Sequence, residues 1–379
     1  MDTRNDKALA DPPATPDPAP PRRSYPYRRL AVAVVLLVAA AAVVVWRSQP
    51  TTRPLVVGAA RDDGTLVQPR DWLRDGAESA LVGDRIFWIF GDTLFPDAAE
   101  DGSHLRTNSS AWSRPSLPTR LHTPVDANHT PLQLIPFDDV ENSYNSLANK
   151  PDDRIALWPT AVLGRPDGSA VVLYSQVKIS PGALNFSFQN FGLATVAPGS
   201  ETAVRDPTPI LGAPEPSFWS GPVERDGFVY LYGCDKIEGV RFGCRVARVP
   251  SDDLHDRSAW EFWDGSEWTS DLGRAVFAME GPNGGLSVSW NPWLGRFLAV
   301  YMPGYTNEVV FRTADRPEGP WSAPVVAFRG AEPAAGAVNY GAFEHPELST
   351  DGGRSLVVTY FHPLGPLQGE IRVVRVRLD

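Results

Sequence analysis

Hydrophobic positions along the 379-residue chain follow two different rhythms. Between Leu30 and Trp46 an uncharged apolar run, LAVAVVLLVAAAAVVVW, continues for 17 residues, at the lower end of the length a helix needs to cross a bilayer. Beyond Arg53 the rhythm changes. Apolar residues alternate with polar ones or come in short unbroken runs, and Gly, Pro and Asp interrupt them. Such segments are strands joined by turns, with no long helical pattern among them.

These segments repeat. SALVGDRIFWIFGDT, TAVLGRPDGSAVVLYSQ, WSGPVERDGFVYLYGCD, VSWNPWLGRFLAVYMPG and HPELSTDGGRSLVVTYFHP each read as an approach strand, a tight polar turn and a return strand. Their turns, at Gly83-Asp84, Asp167-Gly168, Asp226-Gly227, Leu294-Gly295 and Asp351-Gly352, lie about 60 to 80 residues apart, longer than the ~40–50 residues of common blade repeats. Five units predict an all-β fold, a five-bladed β-propeller with loop insertions, preceded by one transmembrane helix. Leu55–Ala60 and Ile371–Leu378 are the candidates to close the ring by sharing one blade. Two packed β-sandwiches are the alternative, because the stretch Thr93–Leu157 leaves room for a different connectivity.

The predicted order is a disordered cytoplasmic tail (1–29), a transmembrane helix (30–46), a linker (47–54) and the propeller (55–379). Composition agrees with it: 42% hydrophobic and 10% aromatic residues suffice for a core, while 37 Pro and 32 Gly disfavour a helical bundle. The tail holds six Arg/Lys, four of them (Arg22, Arg23, Arg28, Arg29) close to the apolar run. By the positive-inside bias it stays in the cytoplasm, which puts the propeller on the outer side of the cell membrane. A cleaved signal peptide is the rival reading, with small residues at Ala39–Ala42, although the lead before the apolar run is long for one.

Charge and cysteine content narrow the partners. After the apolar run there are 29 basic and 41 acidic residues, a net charge of −12, and no Lys/Arg cluster that could follow a phosphate backbone; nucleic acid is not an expected partner. Cys234 and Cys244 flank one predicted hairpin, so in an oxidising exterior they are expected to form a disulfide.

In a propeller whose innermost strands run from one face to the other, residues before each approach strand and after each return strand share the first face. That set comprises Asp75 and Asp92, Trp158 and Gln176, Glu215, Trp219 and Asp235, Glu280 and Tyr305, and Glu344, His345 and His362. Carboxylates and aromatics facing one another suit glycoside cleavage. One acid must donate a proton to the leaving oxygen, another must be ionised to activate water or attack the anomeric carbon, and aromatic faces stack on sugar rings. Asp75, Asp92, Glu215, Glu280 and Glu344 are therefore the candidate acids, with Asp92 and Asp75 the first candidates for the base or nucleophile and a Glu for the proton donor. Trp158, Gln176, Trp219, Asp235, Tyr305, His345 and His362 are the candidate sugar contacts. Asp92 stands out because Phe90-Gly91-Asp92-Thr93 ends a strongly hydrophobic strand with a glycine that leaves the backbone room. Asp167, Asp226 and Asp351 sit in the turns of the opposite face and read as hairpin residues. Two histidines without a dense acidic spacing do not make a metal site. Phosphate loops, dinucleotide glycine patterns, nucleophile elbows and zinc motifs are missing from the sequence, so neither a metal nor a cofactor is expected.

Several stretches resemble a known family. Arg85–Thr93 (RIFWIFGDT), Trp158-Pro159-Thr160, Ala247–Pro250 with Trp260–Gly265 (WEFWDG), Leu286–Phe297 (LSVSWNPWLGRF) and Gly319–Ser322 (GPWS) are similar to the domain of unknown function 4185 family. Some members of that family are classed as endo-D-arabinanases of glycoside hydrolase family 183. The resemblance runs over most of residues 55–379 and implies a five-bladed propeller that hydrolyses the D-arabinan of actinobacterial cell walls. Furanosidase propellers place a catalytic acid at the start of innermost strands, where Asp75 falls in the first blade. The expectation is thus a membrane-anchored glycoside hydrolase acting on a cell-envelope polysaccharide. A non-catalytic carbohydrate-binding propeller is the alternative, and a protein-interaction propeller, with a flat apolar patch in place of a carboxylate bowl, is a third class.

Overall fold

The computed structural model describes residues 52–69, 71–148, 153–182, 185–304, 306–365 and 368–379. The predicted tail and transmembrane segment, residues 1–46, lie outside this set. Among the described residues no helix is long and apolar enough to cross a membrane.

Five antiparallel sheets form the five blades of a propeller. Their innermost strands, Leu73–Val82, Arg154–Gly164, Ser220–Arg225, Pro282–Asn291 and Tyr340–Glu344, pack side by side around the axis. Each returns through a far-face turn into a second strand: Arg85–Leu94, Ala170–Ile179, Phe228–Glu238, Arg296–Pro303 and Ser355–Gly365. The turns fall where the Gly/Asp signals place them. Asp226 and Asp351 have φ of 52° and 54°, and the glycines after them, Gly227 and Gly352, 81° and 66°, the left-handed pairs that tight hairpins demand. The fifth blade is shared. Val57–Thr65 pairs antiparallel with Gln368–Leu378, so the first strand of the domain is hydrogen-bonded to its last and the ring closes without a free seam.

The apolar runs are explained by where the blades meet. Each sheet is covered on both faces, so a second strand has no solvent side. In Arg85–Leu94, Phe87 and Ile89 pack towards the second blade, while Ile86, Trp88 and Phe90 pack towards the fifth. Five buried clusters result, one between each pair of neighbouring blades. Cys234 and Cys244 are directly opposed in the third blade and joined as a disulfide.

One element departs from the strand-only expectation. The connection between the first two blades contains a ten-residue helix, α1, at Asp139–Ala148. Its start is a capping box: Asp138 Oδ1 accepts from the Glu141 backbone N–H and Glu141 Oε2 accepts from that of Asp138, both at 2.8 Å. Glu141 is buried and paired with Arg205 at 2.6 Å, which fastens the helix to the second blade.

Candidate functional site

All five innermost strands lose register once or twice along their length. The slips fall between Arg74 and Glu78, Pro159 and Ala161, Ser220 and Val223, Pro282 and Leu286, and Tyr340 and Phe343. A bulge bends a strand and re-aims its side chains. In the first blade Gly76 and Ala77 both have φ of 83°; for alanine this is a conformation that costs energy and persists only where its surroundings impose it. The residue just before them is Asp75.

Asp75 and Asp92 come together at this mouth. The Asp75 carboxylate lies against the Cα of Gly91, where a side chain would have its Cβ only 2.4 Å from Asp75 Oδ1. This is the space that Gly91 keeps open. Asp75 accepts from the Tyr340 hydroxyl at 2.9 Å and from the backbone N–H of Asp92. Asp92 accepts from Arg154 Nη2 at 2.8 Å and from the Trp158 indole at 3.0 Å. Burial, with the neighbouring charge of Asp92 added, pushes the Asp75 carboxyl up to about 7 despite these donors. Burial also raises Asp92, and the Arg154 charge, the Trp158 N–H and the Arg154 hydrogen bond oppose it. The two adjacent carboxyls thus stand in unequal company, Asp92 beside a guanidinium and an indole N–H and Asp75 beside a phenol, an asymmetry of the kind that separates an acid from a base.

Of the other expected acids none joins this pair, so the Glu expected as proton donor does not stand beside Asp75 and Asp92. Glu344 ends its strand four residues beyond Tyr340, roughly 10–13 Å deeper at strand spacing, and receives the Ser289 hydroxyl at 2.5 Å. It was expected on the open face. The fifth inner strand begins at Tyr340, earlier than the repeat suggested, and Pro346 ends it in a short 3-10 turn, so His345 is carried inward as well. His345 is fully buried between Ser79 (2.6 Å) and Thr359 (2.8 Å), and burial lowers its pKa to about 3. His362 is buried and bonded to Asn339 at 2.9 Å. Glu280 is exposed and paired with Arg241 at 2.8 Å. Gln176 is held by Glu141 and Asn190. Tyr305 lies outside the described residues. Asp167, Asp226 and Asp351 are in the far-face turns, where Asp167 accepts from the Ser169 N–H and hydroxyl.

Glu215, Trp219 and Asp235 form a second group on the open side of the third blade. They line a cavity of about 910 Å³ together with Phe188 and Arg245. Tyr340 and Arg154 were not foreseen as site residues. A glycine at position 341 within an apolar run was the available signal for a bulge beside Tyr340, whereas Arg154 carried none.

Inside the ring a smaller cavity of about 280 Å³ follows the axis, lined by Glu78, Ser79, Gly164, Gly221, Ser287, Glu344 and Glu347 among others. Burial raises all three of its carboxyls, Glu344 and Glu347 to about 7. No group of three metal-ligating side chains occurs among the described residues.

The fold and the mouth together define a five-bladed propeller with paired acids at one end of its axis. Residues 195–363 match the family described as "Domain of unknown function (DUF4185)", in agreement with the resemblance seen in the sequence. Three solved structures are similar in fold. A putative hydrolase from Bacteroides ovatus has a TM-score of 0.57 at 17% identity, over 87% of this chain and 88% of that one. A family 117 glycoside hydrolase produced by the marine bacterium Zobellia galactanivorans has a TM-score of 0.52 at 11% identity, over 86% and 91%. A further glycoside hydrolase has a TM-score of 0.52 at 13% identity, over 85% and 92%. No curated protein sequence shows significant similarity to the chain.

Proposed function

We propose that this protein is a glycoside hydrolase of the cell envelope, held to the membrane by Leu30–Trp46 with its propeller outside, and that D-arabinan is its substrate. The observation that carries this reading is the Asp75–Asp92 pair at the mouth. Asp75, with its proton affinity raised towards neutrality, donates a proton to the leaving oxygen. Asp92, whose charge Arg154 and Trp158 favour, attacks the anomeric carbon or activates water. A pair of carboxyls in these two states is what glycosidic cleavage requires. Trp158 and Tyr340 flank the pair with aromatic surface, and their polar ends hold the two carboxyls in position. The structural likeness to glycoside hydrolases supports the fold on which such a site is built, and the choice of arabinan comes from the family resemblance.

Incubation of the purified protein with arabinogalactan and other envelope glycans tests the reading. Released oligosaccharides from an arabinan, abolished by Asp92→Asn, are the expected result. Glycan binding with no cleavage under any condition would replace it with the carbohydrate-binding alternative.

A further inference from the structure

The two groups on the open face are connected by aromatic residues. Trp158, which donates to Asp92, meets the ring of Phe186 edge-on at a centroid distance of 5.1 Å. Phe186 and Phe188 pair regularly with Ile179 and Val177, so they project from the same side of their strand. Arg154 pairs with Ile179 and Ala156 with Val177 in the same sheet, which puts Arg154 and Trp158 on that side too. Phe186 is half exposed, and Phe188 lines the 910 Å³ cavity together with Trp219. A line of aromatic residues therefore leads from the carboxyl pair outward to a cavity walled by the second and third blades.

The chemistry of the cavity wall selects its occupant. Asp235 is paired with Arg245 at 3.0 Å, Arg245 also lies over the Phe277 ring at 4.0 Å, and Asp271 is used by the Gly273 N–H at 2.9 Å. Glu215 faces Arg257 at 3.9 Å. The wall holds three carboxylates, Glu215, Asp235 and Asp271, to the one guanidinium of Arg245, so no excess cation invites a phosphate or carboxylate. What remains is aromatic surface beside fixed donors and acceptors, which fits the apolar ring face and the hydroxyls of a neutral sugar.

We propose that the cavity between the second and third blades, with Trp219, Phe188 and the Asp235–Arg245 pair in its wall, is an accessory subsite that binds uncharged sugar units of the same chain whose glycosidic bond lies at Asp75 and Asp92. The inference rests on the glycosidase reading of the mouth. It requires binding to strengthen with chain length.

The test compares a disaccharide with longer oligosaccharides prepared from arabinogalactan, titrated against the full-length Asp92→Asn protein and against the same protein carrying Trp219→Ala. Longer chains should bind at least tenfold more tightly than the disaccharide, and Trp219→Ala should remove most of that gain, about tenfold in Kd. Trp219→Phe should restore part of it, and Asp235→Asn provides an independent variant should Trp219→Ala fold poorly. Equal affinity for short and long chains, or an unchanged length dependence in both cavity variants, overturns the subsite and leaves the mouth reading intact. No binding of any length to a folded protein overturns both.

Discussion

The mouth and the interior of the propeller axis hold the same kind of group in different company. At the mouth, Asp75 and Asp92 meet a guanidinium, an indole N–H and a phenol. In the interior cavity, Glu344 and Glu347 meet the serine hydroxyls of Ser289 and Ser79, and Glu78 Oε1 has no hydrogen-bond partner among the described residues. Burial raises every one of these carboxyls. Only at the mouth does a paired cation, Arg154, oppose it. Interior carboxyls held neutral are compatible with a stable axis, while the asymmetry at the mouth is what acid–base chemistry needs.

The largest effect should come from removing that asymmetry. Asp92→Asn is expected to lower the rate on an arabinan about 10²–10⁴-fold with little change in melting temperature. Asp167→Asn, in a far-face turn, should leave the rate unchanged. Equal rates for wild type and Asp92→Asn would remove Asp92 from the mechanism.

The interior carboxyls should appear in stability, with the opposite sign from an ordinary surface acid. A folded-state pKa raised to about 7 for Glu344 and Glu347 means that the native state holds protons the unfolded chain releases above about 4.5. Their contribution is full below that value and is lost as the pH rises towards 7. Glu344→Gln, which keeps the acceptor for Ser289 but needs no proton, should therefore stabilise the protein at pH 8 by on the order of 1–3 kcal/mol and do little at pH 4. Denaturant melts at the two values check this, and destabilisation at both would show that the carboxyl is ionised.

A smaller change tunes the mouth without dismantling it. Asp75 must be protonated to donate, so activity should decline as the pH rises through about 7. Tyr340 favours the ionised form of Asp75 by donating to it. Tyr340→Phe is thus expected to move the alkaline limb of the pH–rate profile upward by about one unit, and a downward shift would contradict the assigned role. The smallest effect belongs to Glu280. Glu280→Gln breaks an exposed ion pair and should change stability by less than about 0.5 kcal/mol, with an unchanged rate on arabinan.

Blade number, far-face turns and the closing strands were legible in the sequence because they depend on local chemistry. Asp-Gly pairs adopt left-handed turns without help, and the unbroken runs in RIFWIFGDT and SLVVTYF mark strands buried on both faces. The pairing of Cys234 with Cys244 followed from the hairpin between them. Helix α1 was overlooked although its capping pattern, Asp138 to Glu141, was readable; its low overall hydrophobicity hid it.

What the sequence by itself determined was the five hairpins, their far-face turns and, outside the fifth blade, the end of each strand at which a polar residue sits. Which of those residues meet was decided by tertiary structure. Asp75 and Asp92 are 17 positions apart but share one hairpin, whereas Arg154 and Tyr340 reach them from the second and fifth blades. Bringing them together depends on ring closure and on five bulges whose depth no local pattern encodes. Glu344 shows the same point from the other side. Its strand begins a few residues earlier than the repeat implies, and because side chains advance about 3.3 Å per residue along a strand, that offset moves a carboxyl from the mouth to the interior of the axis.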